Sequence, residues 1–125
     1  MLVIYTSQGC SSCRKAKQYM KENQLRFIEK DIERCGLKEN EVRYLLSRSE
    51  NGSEDLISQR SKIIREGSRD IESMNVSELI SFICENPTVL KRPIIIDGRN
   101  MVTGFDEDEI SIFKRKRQPN LALAV

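Results

Sequence analysis

Apolar residues recur along the chain in three rhythms. Leu2-Val3-Ile4-Tyr5-Thr6 is an apolar strand. The segment from Ser12 to Asn23 reads as a helix, and Arg26-Phe27-Ile28-Glu29-Lys30-Asp31-Ile32 alternates loosely as a second strand. Together they form a β-α-β unit, which implies parallel pairing and a right-handed crossover. From Lys38 to Glu85 the spacing turns helical: Val42, Leu45 and Leu46, then Leu56 with Ile57, then Ile63 with Ile64, then Val76, Leu79, Ile80 and Ile83. Asn51-Gly52-Ser53 and Gly67-Ser68 punctuate these short elements, so the region predicts a compact helical insertion. Pro93-Ile94-Ile95-Ile96-Asp97 returns to strand, and Asp97-Gly98 with Met101-Val102-Thr103 predicts a β-hairpin. Asp106-Glu107-Asp108-Glu109 opens a last helix, and Lys114-Arg115-Lys116-Arg117 lies beyond it; both placements complement the helix dipole. The basic run is best read as a solvated helix end. Residues 118–125 predict a flexible tail.

The chemistry sits between the first strand and the first helix, in Cys10-Ser11-Ser12-Cys13. Cysteines three apart at the first turn of a helix share a face, so a disulfide between them is geometrically plausible. The helix N-terminus offers unpaired N–H groups and partial positive charge, which favour a thiolate. Arg14 and Lys15 add cationic charge nearby. Strand, Cys-x-x-Cys and helix in that order are the sequence form of a thioredoxin-like redox motif. The alternative is a pair of packed or loop cysteines that never react. The fold class expected is α/β: a thioredoxin-like mixed four-stranded sheet with flanking helices and an inserted helical subdomain. The core takes residues 1–35 and 91–117, the insertion 36–90.

Composition narrows the chemistry further. Among 125 residues, 38% are hydrophobic and 32% charged, with no Trp, so the core is modest and the surface densely charged. The net charge of +2 gives no global case for nucleic-acid binding, and strong direct sequence-specific DNA binding is not expected. No apolar run approaches the ~20 residues of a membrane span. No signal peptide is evident, so a cytoplasmic location is expected, where a Cys-x-x-Cys pair is more often switching or catalytic than structural. The absence of histidine removes the usual general base near neutral pH and the commonest metal ligand. Cys35 and Cys84 form no second close pair, so neither a zinc site nor any cofactor is expected. Cys84 falls in a helical pattern as a small apolar residue at or near the core, and Cys35 precedes Gly36 at a turn.

Tyr5-Thr6-Ser7, Cys10-x-x-Cys13-Arg14-Lys15-Ala16, Asn51-Gly52, Ser58-x-Arg60-Ser61-Lys62, Glu72-Ser73-Met74, Lys91-Arg92-Pro93-Ile94-Ile95-Ile96-Asp97 and Gly104-Phe105-x-Glu107-Asp108-Glu109 span nearly the whole chain. In that combination the chain resembles the Spx family of redox-sensing transcriptional regulators, which are similar in fold to arsenate reductases. The resemblance implies a non-catalytic protein that binds the C-terminal domain of the RNA polymerase α subunit and changes promoter choice under thiol stress. It implies a redox switch at Cys10 and Cys13, supported by Ser7, Arg92 and Pro93. Arg92 matches the family's arginine near the redox pair, and the proline is often cis in thioredoxin-like folds. The family's glycine at the polymerase surface falls on Gly52, with Asn51 and Arg48 beside it. The ClpXP protease, which engages the C-terminus of such regulators, is a further expected partner. The chain departs from the family at Ser47, where a basic residue is common, at Gln8-Gly9, and in its short tail.

An arsenate reductase or a glutaredoxin-like thiol oxidoreductase is the competing expectation. A reductase of the similar fold uses one nucleophilic cysteine and several arginines around the oxyanion. Arg60 and Arg92 fit two of these, but Gly104-Phe105 stands where a third is expected, and Cys13 is a second cysteine such an enzyme does not need.

Overall fold

Ile94-Ile95-Ile96 shows how the sheet is built, because all three isoleucines are buried. A strand apolar on both faces belongs at the centre of a covered sheet. In the computed structural model, which describes residues 1–67 and 70–115, this strand is β3, an inner strand of a mixed four-stranded sheet. The elements run β1 (Leu2–Thr6), α1 (Ser11–Glu22), β2 (Phe27–Asp31), α2 (Ile32–Cys35), α3 (Glu39–Arg48), α4 (Ser53–Leu56), α5 (Lys62–Glu66), a 3₁₀ turn at Ile71–Ser73, α6 (Val76–Glu85), a second 3₁₀ turn at Pro87–Val89, β3 (Ile94–Ile96), β4 (Met101–Thr103) and α7 (Glu107–Arg115). They group into two compact units, one holding Met1–Lys30 and the chain from Arg92 onward, the other Asp31–Lys91.

The first unit contains the sheet, in the order β2-β1-β3-β4. β1 and β3 are antiparallel with Ile4 opposite Ile95, and β3 and β4 are antiparallel with Ile95 opposite Val102. Cys13, Ala16 and Met20 fall on one stripe of α1, and all three are buried. Ala16 and Met20 meet Leu2, Ile4, Leu25 and Ile95 from the sheet side and Ile110 and Phe113 from α7, closing one core. Asp106 caps α7, its Oδ1 accepting the amides of Asp108 and Glu109 at 2.8 and 3.1 Å. That cap explains the acidic opening expected there.

The second unit begins at Asp31, where β2 stops one residue earlier than its alternation suggests. Asp31 turns its carboxylate onto the amides of Glu33 and Arg34, so Ile32 begins a short helix instead of ending a strand. Cys35 therefore closes that helix, exposed. The main helices α3 and α6 bury Val42 and Leu45 from one and Leu79, Ile80, Phe82 and Ile83 from the other. A reciprocal cap of Asn75 and Glu78 starts α6. Ile63 and Ile64 lie on a short helix as their spacing predicts, but α5 buries no residue and Ile63 is 36% exposed. The end of α4 is tied by an isolated bridge between Ile57 and Leu90 and by the Lys91 amide donating to the Leu56 carbonyl at 2.7 Å. Ser68, Lys116-Arg117 and the expected tail 118–125 lie outside the described residues.

Candidate redox site and partner surface

β1 delivers Ser7 to the rim of the sheet, and Gly9, at φ 71°, turns the chain into α1. Cys10 then takes the N-cap position in extended conformation, and its Sγ accepts the Cys13 amide at 3.2 Å. The sulfur does what a serine or aspartate oxygen does at an ordinary cap. Both thiols are reduced, but their surroundings differ: Cys10 is half-buried and Cys13 is only 2% exposed. Burial pushes the Cys13 thiol up to about 12, the Cys10 side chain adds to the rise, and the Ser7 backbone and the Arg92 guanidinium oppose it. The helix N-terminus therefore does not make Cys13 a ready thiolate, because desolvation outweighs it. Arg14 and Lys15 point outward as exposed side chains; the cation acting on Cys13 is Arg92, distant in sequence.

Arg92 lies half-buried and donates from Nη1 to the Ser7 Oγ at 3.1 Å. The Arg92–Pro93 peptide is cis, and Pro93 is buried with its carbonyl accepting the Gly104 amide at 2.7 Å. Ser7, Cys10, Cys13, Arg92 and Pro93 thus fall in one unit of the fold. Beside them runs a polar tie that sequence patterning missed. Buried Thr6 donates from Oγ1 to Glu29 Oε2 at 2.7 Å, and the Lys17 ammonium reaches the same oxygen at 3.0 Å. Lys17 stands one helical turn past Cys13, so the tie fixes α1 against β2. An open groove of about 740 Å³ lies along Arg14, Lys15, Tyr19 and Phe105, and neither cysteine lines it.

The other expected residues belong to the second unit. Gly52 has φ 63° and ψ −133°, a conformation that favours glycine, and it is the N-cap of α4 without a side-chain cap. Nothing stands within 4 Å of where a Cβ would be. Asn51 is tied instead by Asp55, which accepts its main-chain amide at 2.9 Å and its Nδ2 at 3.2 Å. Lys91 holds the other side of α4, its Nζ donating to the Glu54 carbonyl at 3.0 Å. Arg48 donates from Nη1 to the Tyr44 hydroxyl at 2.6 Å, and Tyr44 is 46% exposed. Asp55 and Tyr44 went unnoticed in the sequence, and Lys91 was noted only as part of a motif; the signal available was the i, i+4 spacing of Asn51 to Asp55 and of Tyr44 to Arg48.

Cys84 sits half-buried on α6, its thiol raised by burial first and then by Glu39, Glu41 and Glu85. Among the described residues no group of His, Cys, Asp or Glu side chains could hold a metal ion, and no helix is long and apolar enough to cross a membrane.

The ArsC family profile matches residues 5–113. A relative from Streptococcus pneumoniae (strain ATCC BAA-255 / R6), called global transcriptional regulator Spx, is 44% identical over 113 residues, covering 90% of this chain and 85% of that protein. Another from Lactococcus lactis (strain IL1403), global transcriptional regulator Spx 1, is 38% identical over 113 residues, covering 90% of this chain and 88% of its own. The solved arsenate reductase from Vibrio cholerae superposes with a TM-score of 0.75 at 16% identity, over 90% of this chain and 96% of that one. That likeness shows a shared fold.

Proposed function

We propose that this chain, which belongs to the ArsC family and to the Spx group within it, is a cytoplasmic transcriptional regulator with a thiol switch. It binds the C-terminal domain of the RNA polymerase α subunit through the turn at Asn51-Gly52, with Arg48 alongside. Its state is set by Cys10 and Cys13. An oxidant of the peroxide or diazene class takes two electrons from the pair; each thiol gives up its proton, and the two sulfurs join. Cys10 is the sulfur solvent reaches first, and Cys13 is held as a thiol until it closes the bond. Ser7 and Arg92 support the site, the guanidinium offsetting part of the burial that disfavours charge on Cys13.

The observation that carries this reading is the unequal thiol pair at a helix cap: an accessible Cys10 whose sulfur already receives the amide of buried Cys13. Gly52 supplies the partner side, because open space beside its Cα leaves room for another backbone. The experiment is calorimetric titration of the isolated α C-terminal domain with wild type, Gly52→Ala and Gly52→Arg. Both substitutions carry the same positive-φ strain, so only the arginine adds bulk at the surface. Binding by wild type, retained in part by Gly52→Ala and abolished by Gly52→Arg, supports the reading. Equal affinity of Gly52→Arg and Gly52→Ala places the surface elsewhere.

The fold shared with an arsenate reductase favours a second reading, thiol-dependent reduction. Sustained arsenate turnover with glutathione and glutaredoxin, lost in Cys10→Ser, would establish it. Recognition by ClpXP rests on the resemblance to Spx regulators and on the sequence of residues 121–125.

A further inference from the structure

We propose that Asp55 is the positioning residue of the Asn51-Gly52 turn: its carboxylate, gripping Asn51 by main chain and side chain, fixes the conformation in which the turn meets a partner. The proposal rests on the reading that this turn is the binding surface.

The turn lacks the usual means of holding itself. Gly52 occupies the N-cap of α4 and brings no side chain to satisfy the first amides. α4 is only four residues long, too short to be stable by its own hydrogen bonds. Glycine is also the residue with most backbone freedom to lose. Something outside the turn has to order it.

Asp55 does so from the third position of the helix. In a capping box that position reaches back to the N-cap amide. Here the carboxylate reaches one residue further: Oδ2 accepts the Asn51 N–H at 2.9 Å and Oδ1 accepts the Asn51 Nδ2 at 3.2 Å. Both oxygens are used, so the carboxylate clamps Asn51 as a fork, with the Glu50 amide adding to its field. The Asn51 amide first, then its side chain, the Glu50 amide and Lys91 hold the carboxyl below its ordinary 3.8. It is therefore ionised at neutral pH, and hydrogen bonds to an ionised acceptor are the stronger kind. Lys91 acts on Asp55 only through its charge and makes these hydrogen bonds elsewhere, from its Nζ to the Glu54 carbonyl and from its amide to the Leu56 carbonyl. Removing the Asp55 carboxylate thus frees the Asn51 side of the turn while Lys91 keeps its hold on Glu54 and Leu56.

The test pairs a local readout with binding, using Asp55→Ala and Asp55→Asn in the full chain. Amide exchange followed by NMR reports on Asn51 directly, and titration with the α C-terminal domain reports on the surface. In Asp55→Ala the Asn51 amide should exchange about tenfold faster, as expected for losing a charge-assisted hydrogen bond. Amides of α3 and α6 should keep their protection. Affinity should fall by about tenfold, with Asp55→Asn between it and wild type because one acceptor oxygen remains. Unchanged Asn51 exchange in both variants overturns the proposal. So does unchanged affinity alongside a loosened turn. If wild type itself does not bind the α domain, the binding reading falls, and Asn51 exchange alone still decides whether Asp55 positions the turn.

Discussion

Alkylation of the two paired cysteines in the native state should be strongly unequal, and the structure sets the size of the difference. The perturbation is excess iodoacetamide at pH 8 on the reduced protein. Only a thiolate attacks, so the rate scales with the deprotonated fraction. A thiol at the ordinary 9.0 is about one-tenth thiolate at pH 8, whereas one near 12 is about one part in ten thousand. The greater nucleophilicity of a high-pKa thiolate offsets part of this roughly thousandfold difference in fraction. The native Cys13 sulfur should thus react roughly thirty- to sixtyfold more slowly than an ordinary thiol on this ground alone. Burial adds to this, since 2% exposure leaves the sulfur little reach to a reagent. Cys13 modification should then proceed through local opening of the first turn of α1, which is slower still. The assay is timed quenching with fragmentation of the peptide 1–14, which carries both cysteines. Cys10 should be labelled first, with Cys13 trailing by at least a hundredfold in native buffer and by little in concentrated urea. Native labelling of Cys13 within a few-fold of Cys10 would refute the burial argument.

Two further outcomes follow from the same geometry, and a third from the sequence of the C-terminal residues. Burial raises the Cys13 thiol from 9.0 to about 12, so the folded state keeps a proton that the unfolded chain loses above 9. The stability this group contributes is therefore complete below pH 9 and declines toward pH 12 by about 1.4 kcal/mol per unit at most; urea unfolding at pH 8 and 10 should show a steeper loss for wild type than for Cys13→Ala. Arg92→Ala removes the guanidinium that offsets burial at Cys13, so disulfide closure under diamide should slow by about tenfold or less, seen in timed thiol counting. Replacing Ala124-Val125 with Asp-Asp should lengthen the half-life in cells several-fold in a chase experiment while leaving binding of the α domain intact.

Much of this architecture was open to inspection in the sequence. The strand–Cys-x-x-Cys–helix order fixed α1, because a stripe of Cys13, Ala16 and Met20 has one face to bury. The isoleucine run reads as a strand, and its place inside the sheet came only with the structure, although a strand apolar at every position is what double cover requires. Local chemistry erased the signal at Ile32, where an Asp31 cap overrides the alternation of a strand. At Ile63 and Ile64 the helical spacing is realised in α5, but nothing in that spacing shows that the helix has no buried position. The site divided in a similar way. Cys10, Cys13 and Gly52 stand out because few residue types can do what they do. The inversion at Cys13 was hidden, because a helix N-terminus and a neighbouring Arg14 argue for a thiolate until burial is known. The ties from Thr6 to Glu29 and from Arg92 to Ser7 join residues too far apart in sequence for any spacing rule to reveal.

The central claim is that oxidation of Cys10 and Cys13 changes how the protein engages RNA polymerase. The most direct test is the dissociation constant for the α C-terminal domain, measured on fully reduced and on diamide-oxidised wild type, with Cys10→Ser treated identically. A difference of about tenfold or more between the two wild-type forms, absent in Cys10→Ser, is the predicted result. Equal constants for the reduced and oxidised protein, or an equal shift in Cys10→Ser, would contradict it.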